Sequence, residues 1–121
     1  MVVHGKERKF LYTVRAAQEI AALCKDGDIS NLMELMENGS ATGRMETIIN
    51  ILIILNKGYE QSKEFEEPGY KAEFFTKEEL ECVPLKILHE LEMEAFKAFG
   101  EGTKTTVEVE PSSEKKLTAP V

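Results

Sequence analysis

The chain has 121 residues, of which 42% are hydrophobic, and it contains no tryptophan. This length and composition are typical of one small soluble domain with a modest core. The 22 acidic and 15 basic residues give a net charge of −7, which argues against binding nucleic acid through a basic face. Cys24 and Cys82 have no metal-ligand spacing, so we expect ordinary reduced side chains in a cytoplasmic protein.

Neither a signal peptide nor a membrane span is predicted. The chain becomes polar within its first residues, whereas a signal peptide needs a longer apolar stretch. The most apolar run, 48–55, is far shorter than the about 20 residues that cross a bilayer. Arg44 and Lys57 close this run on both sides, so we expect it to lie in the core.

The N-terminus is predicted to form a short β-hairpin followed by a helix. His4-Gly5 is the turn pair, because glycine readily adopts the positive φ that a tight hairpin turn needs. Thr13 is predicted to cap a helix that extends to Cys24. The predicted apolar stripe of this helix consists of Val14, Ala17, Ile20 or Ala21, and Cys24.

Two more helices are predicted before residue 60. Ser30 caps a short one over 31–37, and Asn38-Gly39-Ser40 breaks it. The next, Met45–Tyr59, is hydrophobic almost all round, which is typical of a central helix, and Gly58 is its predicted C-terminal stop. Its isoleucine run is also an argument for a buried strand, but we favour a helix because its neighbours are helical.

Two helices are predicted after an ordered connector, 61–75, whose aromatic residues lie on the core. Thr76-Lys77-Glu78-Glu79 is a capping box, and it starts a helix that runs to about Cys82. The last helix is predicted from Pro84 to Phe99, because proline is favoured at the first helical position.

The domain is predicted to comprise residues 1–100, with a flexible tail over 101–121. Gly100-Glu101-Gly102 marks the boundary. The residues beyond it have too few apolar side chains to pack, although 105–110 alternates as a strand does. The predicted fold class is therefore mainly α: a small helical domain with an N-terminal β-hairpin and a flexible C-terminal tail.

The last helix carries more apolar side chains than one small core is expected to absorb. We therefore predict that part of this helix is available to a partner protein or to another copy of the chain. The candidate protein-binding residues are Leu85, Leu88, Leu91, Phe96 and Phe99.

The sequence predicts no catalytic, cofactor-binding or metal-binding site. Neither His4 nor His89 has a nucleophile and an orienting carboxylate at a recognisable spacing. Residues 26–30 lack the remaining ligands of a calcium loop, and 41–44 lacks the ending of a phosphate-binding loop. We expect a protein that is not an enzyme and acts by binding another protein.

The order of these elements resembles that of the tail assembly chaperones of long-tailed bacteriophages, particularly those of Gram-positive hosts. The similarity lies in the opening turn His4-Gly5-Lys6-Glu7, the step Leu11-Tyr12-Thr13, the helix segment Ala16-Ala17-Gln18-Glu19-Ile20, the glycine-ended Leu55-Asn56-Lys57-Gly58, and the helix pair over 76–99. It extends over residues 1–100 and concerns the order of elements.

The resemblance implies a cofactor-free protein of the host bacterial cytoplasm. Chaperones of this family bind the long helical tape-measure protein, keep it soluble, and are displaced by the tube subunits that polymerise around it. The implied partners are the tape-measure protein and the major tail tube protein, with no nucleic acid and no membrane; a homo-oligomer is compatible with the sequence. The alternative is a small prophage-encoded helical adaptor or regulator that binds another protein and is unrelated to tails.

Overall fold

The protein is mainly helical, with one small β-hairpin at its N-terminus, and the predicted fold class is confirmed in these respects. A computed structural model describes residues 1–37 and 40–108, with side chains described up to residue 101. The elements in chain order are β1 (Val2–Val3), β2 (Lys6–Glu7), α1 (Val14–Leu23), α2 (Leu32–Glu37), α3 (Ala41–Glu66), α4 (Lys77–Glu81) and α5 (Leu85–Glu108).

The hairpin is antiparallel and closes through the predicted turn pair. Val3 is paired with Lys6, and the two turn residues between them, His4 and Gly5, have φ values of 50° and 81°. Positive φ at both central residues matches the right-handed twist of the flanking strands.

Thr13 caps α1 as predicted, but the buried face of this helix differs from the predicted stripe. The Thr13 hydroxyl accepts a hydrogen bond of 3.1 Å from the Ala16 amide. Ala16, Ile20 and Cys24 are buried, whereas Val14 is 78% exposed, so the prediction was wrong at its first position. Burial every fourth residue from Ala16 places Val14 on the side facing away from the core.

The predicted Ser30 cap is wrong, because Asp28 takes that role. The Asp28 carboxylate accepts a 3.0 Å hydrogen bond from the Ser30 amide, and this bond lowers the pKa of Asp28. A short 3₁₀ turn, Ile29–Asn31, then leads into α2. The predicted break at 38–40 falls on residues 38 and 39, which lie outside the described residues, and on Ser40, whose hydroxyl caps α3.

The central segment is a helix, as favoured, but it is longer than predicted at both ends. Gly58 lies inside α3 and does not end it. A Cβ atom at position 58 would lie 2.6 Å from the Leu11 carbonyl oxygen, because the segment before α1 crosses α3 there. The Leu11 amide also donates to the Leu55 carbonyl at 3.1 Å. Glycine is therefore required at this position for close approach of two backbones.

The start of α4 follows the prediction, since the Thr76 hydroxyl accepts a 3.0 Å hydrogen bond from the Glu79 amide. Pro84 directly precedes α5 instead of being its first residue, and its carbonyl accepts from the amides of Ile87 and Leu88.

The last helix does not end at Phe99 as predicted, because α5 continues through 100–102 to Glu108. Gly100 does not have positive φ, and a glycine within a helix costs only about 1 kcal/mol. Residues 105–108 are consequently helical and not a strand. The rest of the predicted tail, 109–121, lies outside the described residues.

The core forms around α3, against which α1, α2, α4 and α5 all pack. Every helix except the short α2 contributes at least one side chain that is at most 1% exposed. The large apolar side chains in this set are Ile20, Leu52, Leu55, Leu80 and Leu91.

Candidate protein-binding surface

Two buried polar side chains of α3 fix the segments that flank it. The Asn56 amide group, which is fully buried, donates to the Lys9 carbonyl at 3.1 Å and accepts from the Phe75 amide at 2.9 Å. One side chain thus joins the stretch before α1 to the stretch before α4. A buried amide is stable only when hydrogen-bonded, so this position selects one arrangement of the two segments.

Glu60, one turn further along α3, holds the connector between α3 and α4. Its carboxylate is 2% exposed, and it accepts from the Tyr70 hydroxyl at 2.8 Å and from the Glu73 amide at 3.2 Å. The hydrogen bond to the carboxylate raises the pKa of Tyr70 to about 12. The connector after α3 is therefore held in place by charge-assisted hydrogen bonds, which are stronger than neutral ones.

Arg8 anchors the hairpin to α4. Its side chain is 6% exposed, its guanidinium lies 4.5 Å from the centre of the Phe75 ring, and it donates to the Glu73 carbonyl at 2.6 Å. It also donates to the Glu79 carboxylate at 3.2 Å, which His4 Nδ1 approaches at 3.4 Å. The acid of the predicted capping box thus has a tertiary role, and these polar contacts serve to hold the fold together.

The sequence did not distinguish Asn56, Glu60 and Arg8 as structural residues. Arg8 belongs to the charged run 6–9, a pattern that predicts solvent exposure. Glu60 follows a lysine, a glycine and a tyrosine, and this combination does not predict burial. The usable signal was Asn56, a polar residue beside the apolar run, because a polar residue on a core face indicates a buried hydrogen bond.

The five predicted binding residues do not lie together on one surface. Leu88 and Leu91 are 8% and 0% exposed, and Phe96 packs beside Ile48 and Ile51. The Phe99 ring lies 4.5 Å from the Tyr12 ring, measured between centroids. Leu85, by contrast, is 70% exposed. The structure therefore places Leu91, Phe96 and Phe99 against the core and leaves Leu85 accessible.

Leu85 and Leu88 meet at an open groove between the first half of α3, α4 and the start of α5. We call it the α3–α5 groove; its volume is about 290 Å³. Its apolar lining consists of Met45, Ile49, Leu80, Val83, Leu85 and Leu88. Leu85 stands at the mouth and the buried Leu88 lies deeper, so the predicted residues contribute one wall of a concave apolar surface.

Charged side chains border this groove. Lys77 donates to the Glu46 carboxylate at 3.0 Å, which links α4 to α3 and raises the pKa of Lys77. Glu81 also lines the groove and makes no ion pair within the described part of the chain. An apolar floor with a charged edge is the usual anatomy of a protein-binding site.

Other features of the described residues bear on function. Within 1–37 and 40–108, no three His, Cys, Asp or Glu side chains cluster as metal ligands would. Among the described helices, none has the length and apolar character to cross a membrane. Cys24 and Cys82 are both free, and burial raises the pKa of the Cys24 thiol. No protein family, curated protein or solved structure matches the chain.

Proposed function

We propose that this protein is a tail assembly chaperone of a long-tailed phage. It binds and solubilises the tape-measure protein in the host cytoplasm, catalyses no reaction, and is displaced by the tail tube protein. The order of hairpin, capped α1, central helix and helix pair suggests this family, although Gly58 does not end the central helix. The observation that carries the proposal is the α3–α5 groove, a concave apolar surface that the described chain leaves uncovered.

The groove suits a helical partner. It runs between helices, and amphipathic helices bind such grooves by inserting apolar side chains spaced three or four residues apart. Leu85 gives the strongest driving force, because it is 70% exposed and full burial of a leucine contributes about 1.5–3 kcal/mol. A tape-measure protein is a long helical chain, so it presents many segments of this type.

Charge supports the same partner chemistry. The chain has a net charge of −7, and Glu81 at the edge of the groove has no ion-pair partner among the described residues. A segment with lysine or arginine beside its apolar face would neutralise this edge and would be attracted at long range.

The test is co-expression with the tape-measure gene product, measuring how much of that product is soluble. We expect the wild-type chain to keep it soluble and Leu85→Asp to lose most of this effect, with affinity reduced at least about tenfold. Met33→Asp is the matched control, because Met33 is 64% exposed on α2, away from the groove. Both variants should melt like the wild type, since both positions are exposed.

Two results would contradict the proposal. One is a tape-measure product whose solubility does not depend on this chain. The other is a Leu85→Asp variant that solubilises as well as Met33→Asp. The first result would favour the alternative, a prophage-encoded helical adaptor or regulator with a different partner.

A further inference from the structure

A second groove lies between the start of α1 and the C-terminal half of α3. We call it the α1–α3 groove; it has a volume of about 500 Å³. Gly58, Ser62 and Phe65 follow one another along a single face of α3 and line it. The Leu11 segment covers Gly58, but Ser62 has only a small side chain, so the space beside the Phe65 ring is left open.

Phe65 is the most exposed large apolar side chain in the described part of the protein. It is 91% exposed, and Val14 at the start of α1, next to Thr13 of the groove lining, is 78% exposed. An aromatic ring buries about 150–250 Å² when it is covered, and such rings are the usual anchors of protein interfaces. The ring and the open groove are on the same face of the molecule.

The charges on this face are also complementary to each other. Arg15 and Glu64 both line the α1–α3 groove, and neither forms an ion pair within the described residues. The edge of the α3–α5 groove is different: among the described residues, its one charged side chain without an ion pair is the acid Glu81, which interacts with Lys77 only at longer range. This surface carries an exposed aromatic ring, an adjacent groove and both a positive and a negative side chain. It is therefore complementary to the same surface of a second copy.

We propose that this face joins two copies of the chain in a symmetric dimer. A two-fold axis places the Phe65 ring of each copy in the α1–α3 groove of the other, and places Arg15 of each copy against Glu64 of the other. The two grooves lie at opposite halves of α3, and their centres are about 25 Å apart along the helix axis. The dimer therefore leaves the α3–α5 groove open to its own partner.

The size of the face sets the expected strength. Stable dimers bury about 800 Å² on each partner, and one ring with two helix ends supplies less than this. We therefore expect a reversible dimer with a dissociation constant of about 10–100 µM. Such a dimer forms and dissociates over concentrations that sedimentation can reach.

Analytical ultracentrifugation of the full chain from about 1 µM to about 1 mM is the first test. We expect a shift from monomer to dimer, and Phe65→Ser should weaken association at least about tenfold. Met33→Ser is the matched control and should dimerise as the wild type does. A wild type that stays monomeric at about 1 mM, or a Phe65→Ser variant that associates normally, overturns the proposal.

Charge reversal tests the two-fold arrangement. Arg15→Glu brings two acids together at each contact and Glu64→Lys brings two bases together, so each variant alone should associate more weakly than the wild type. An equimolar mixture should recover dimer, because both contacts of the mixed pair again join opposite charges. A mixture that associates no better than either variant alone shows that these residues do not meet across copies, and overturns the proposal.

Discussion

At the scale of single residues, hydrogen bonds to one buried carboxylate determine where the connector between α3 and α4 lies. Glu60 is 2% exposed, and both of its hydrogen-bond partners, Tyr70 and Glu73, belong to this connector. A buried carboxylate without partners is strongly unfavourable, so α3 accepts only the connector path that brings these donors to it.

The first prediction concerns Tyr70, whose pKa is raised to about 12 by its hydrogen bond to Glu60. The folded pKa is higher than the unfolded one, so the stabilisation is complete below about pH 10 and is lost as pH rises through about 12. Tyr70→Phe should remove this loss and lower stability at pH 7 by about 0.5–1.5 kcal/mol, because the hydroxyl is only partly buried and solvent screens its hydrogen bond. Urea unfolding at several pH values measures both effects.

Tyr59→Phe is the control for Tyr70→Phe, because it also removes only a hydroxyl group. The Tyr59 ring lies 5.9 Å from the Lys9 ammonium, and phenylalanine keeps that ring. The comparison is made at pH 7, because the Tyr59 phenol also contributes to the raised pKa of Tyr70. If Tyr70→Phe unfolds at the same urea concentration as Tyr59→Phe, the hydrogen bond to Glu60 does not stabilise the fold.

At the scale of elements, two glycines inside helices have different structural roles. Gly58 lies in the interior of α3, where the Leu11 carbonyl would be 2.6 Å from any Cβ atom, and Gly100 lies in α5 with no heavy atom within 4 Å of that position. The first glycine allows two backbones to cross closely. The second only weakens its helix, because glycine has more conformational freedom to lose than alanine.

The second prediction is that alanine has opposite effects at these two positions. Gly58→Ala should destabilise the protein by about 1–3 kcal/mol, because the backbone at Leu11 must move away from the new methyl group. Gly100→Ala should stabilise it by up to about 1 kcal/mol, as expected for an open helical position. Thermal melting of the two variants is the measurement, and equal melting temperatures would contradict the assigned role of Gly58.

At the scale of the whole molecule, one helix organises the core. Four helices pack against α3, and its Leu52 and Leu55 side chains are fully buried. Stability therefore depends on α3 more than on the surface helices, and the two proposed binding grooves are both formed along its length.

The third prediction is that Leu52→Asp unfolds the domain. An unpaired buried charge costs several kcal/mol, against a total stability of about 5–15 kcal/mol for a small domain. Circular dichroism should show loss of the cooperative melting transition. Met33→Asp adds the same charge at an exposed position and should melt normally. A normal melt for Leu52→Asp would mean that this side chain is not in the core.

The sequence by itself determined the features that depend on neighbours a few residues apart. The caps at Thr13 and Thr76, the turn at His4-Gly5 and the helical nature of the central segment all follow from such local patterns. Leu85 and Leu88 were also singled out from helical spacing. These features were predictable because capping bonds and helical periodicity involve residues within about four positions of each other.

Only the tertiary structure decided the roles of residues whose local sequence pattern predicts a different one. A glycine after an apolar run predicts the end of a helix, yet Gly58 lies inside α3, where the Leu11 segment crosses it at close distance. Arg8 looks exposed in sequence but is buried against Phe75, and Leu85 forms a groove only because Met45 on α3 lies opposite. Each of these roles depends on residues that come together from distant parts of the chain. Burial results from that packing, and a local sequence pattern does not contain it.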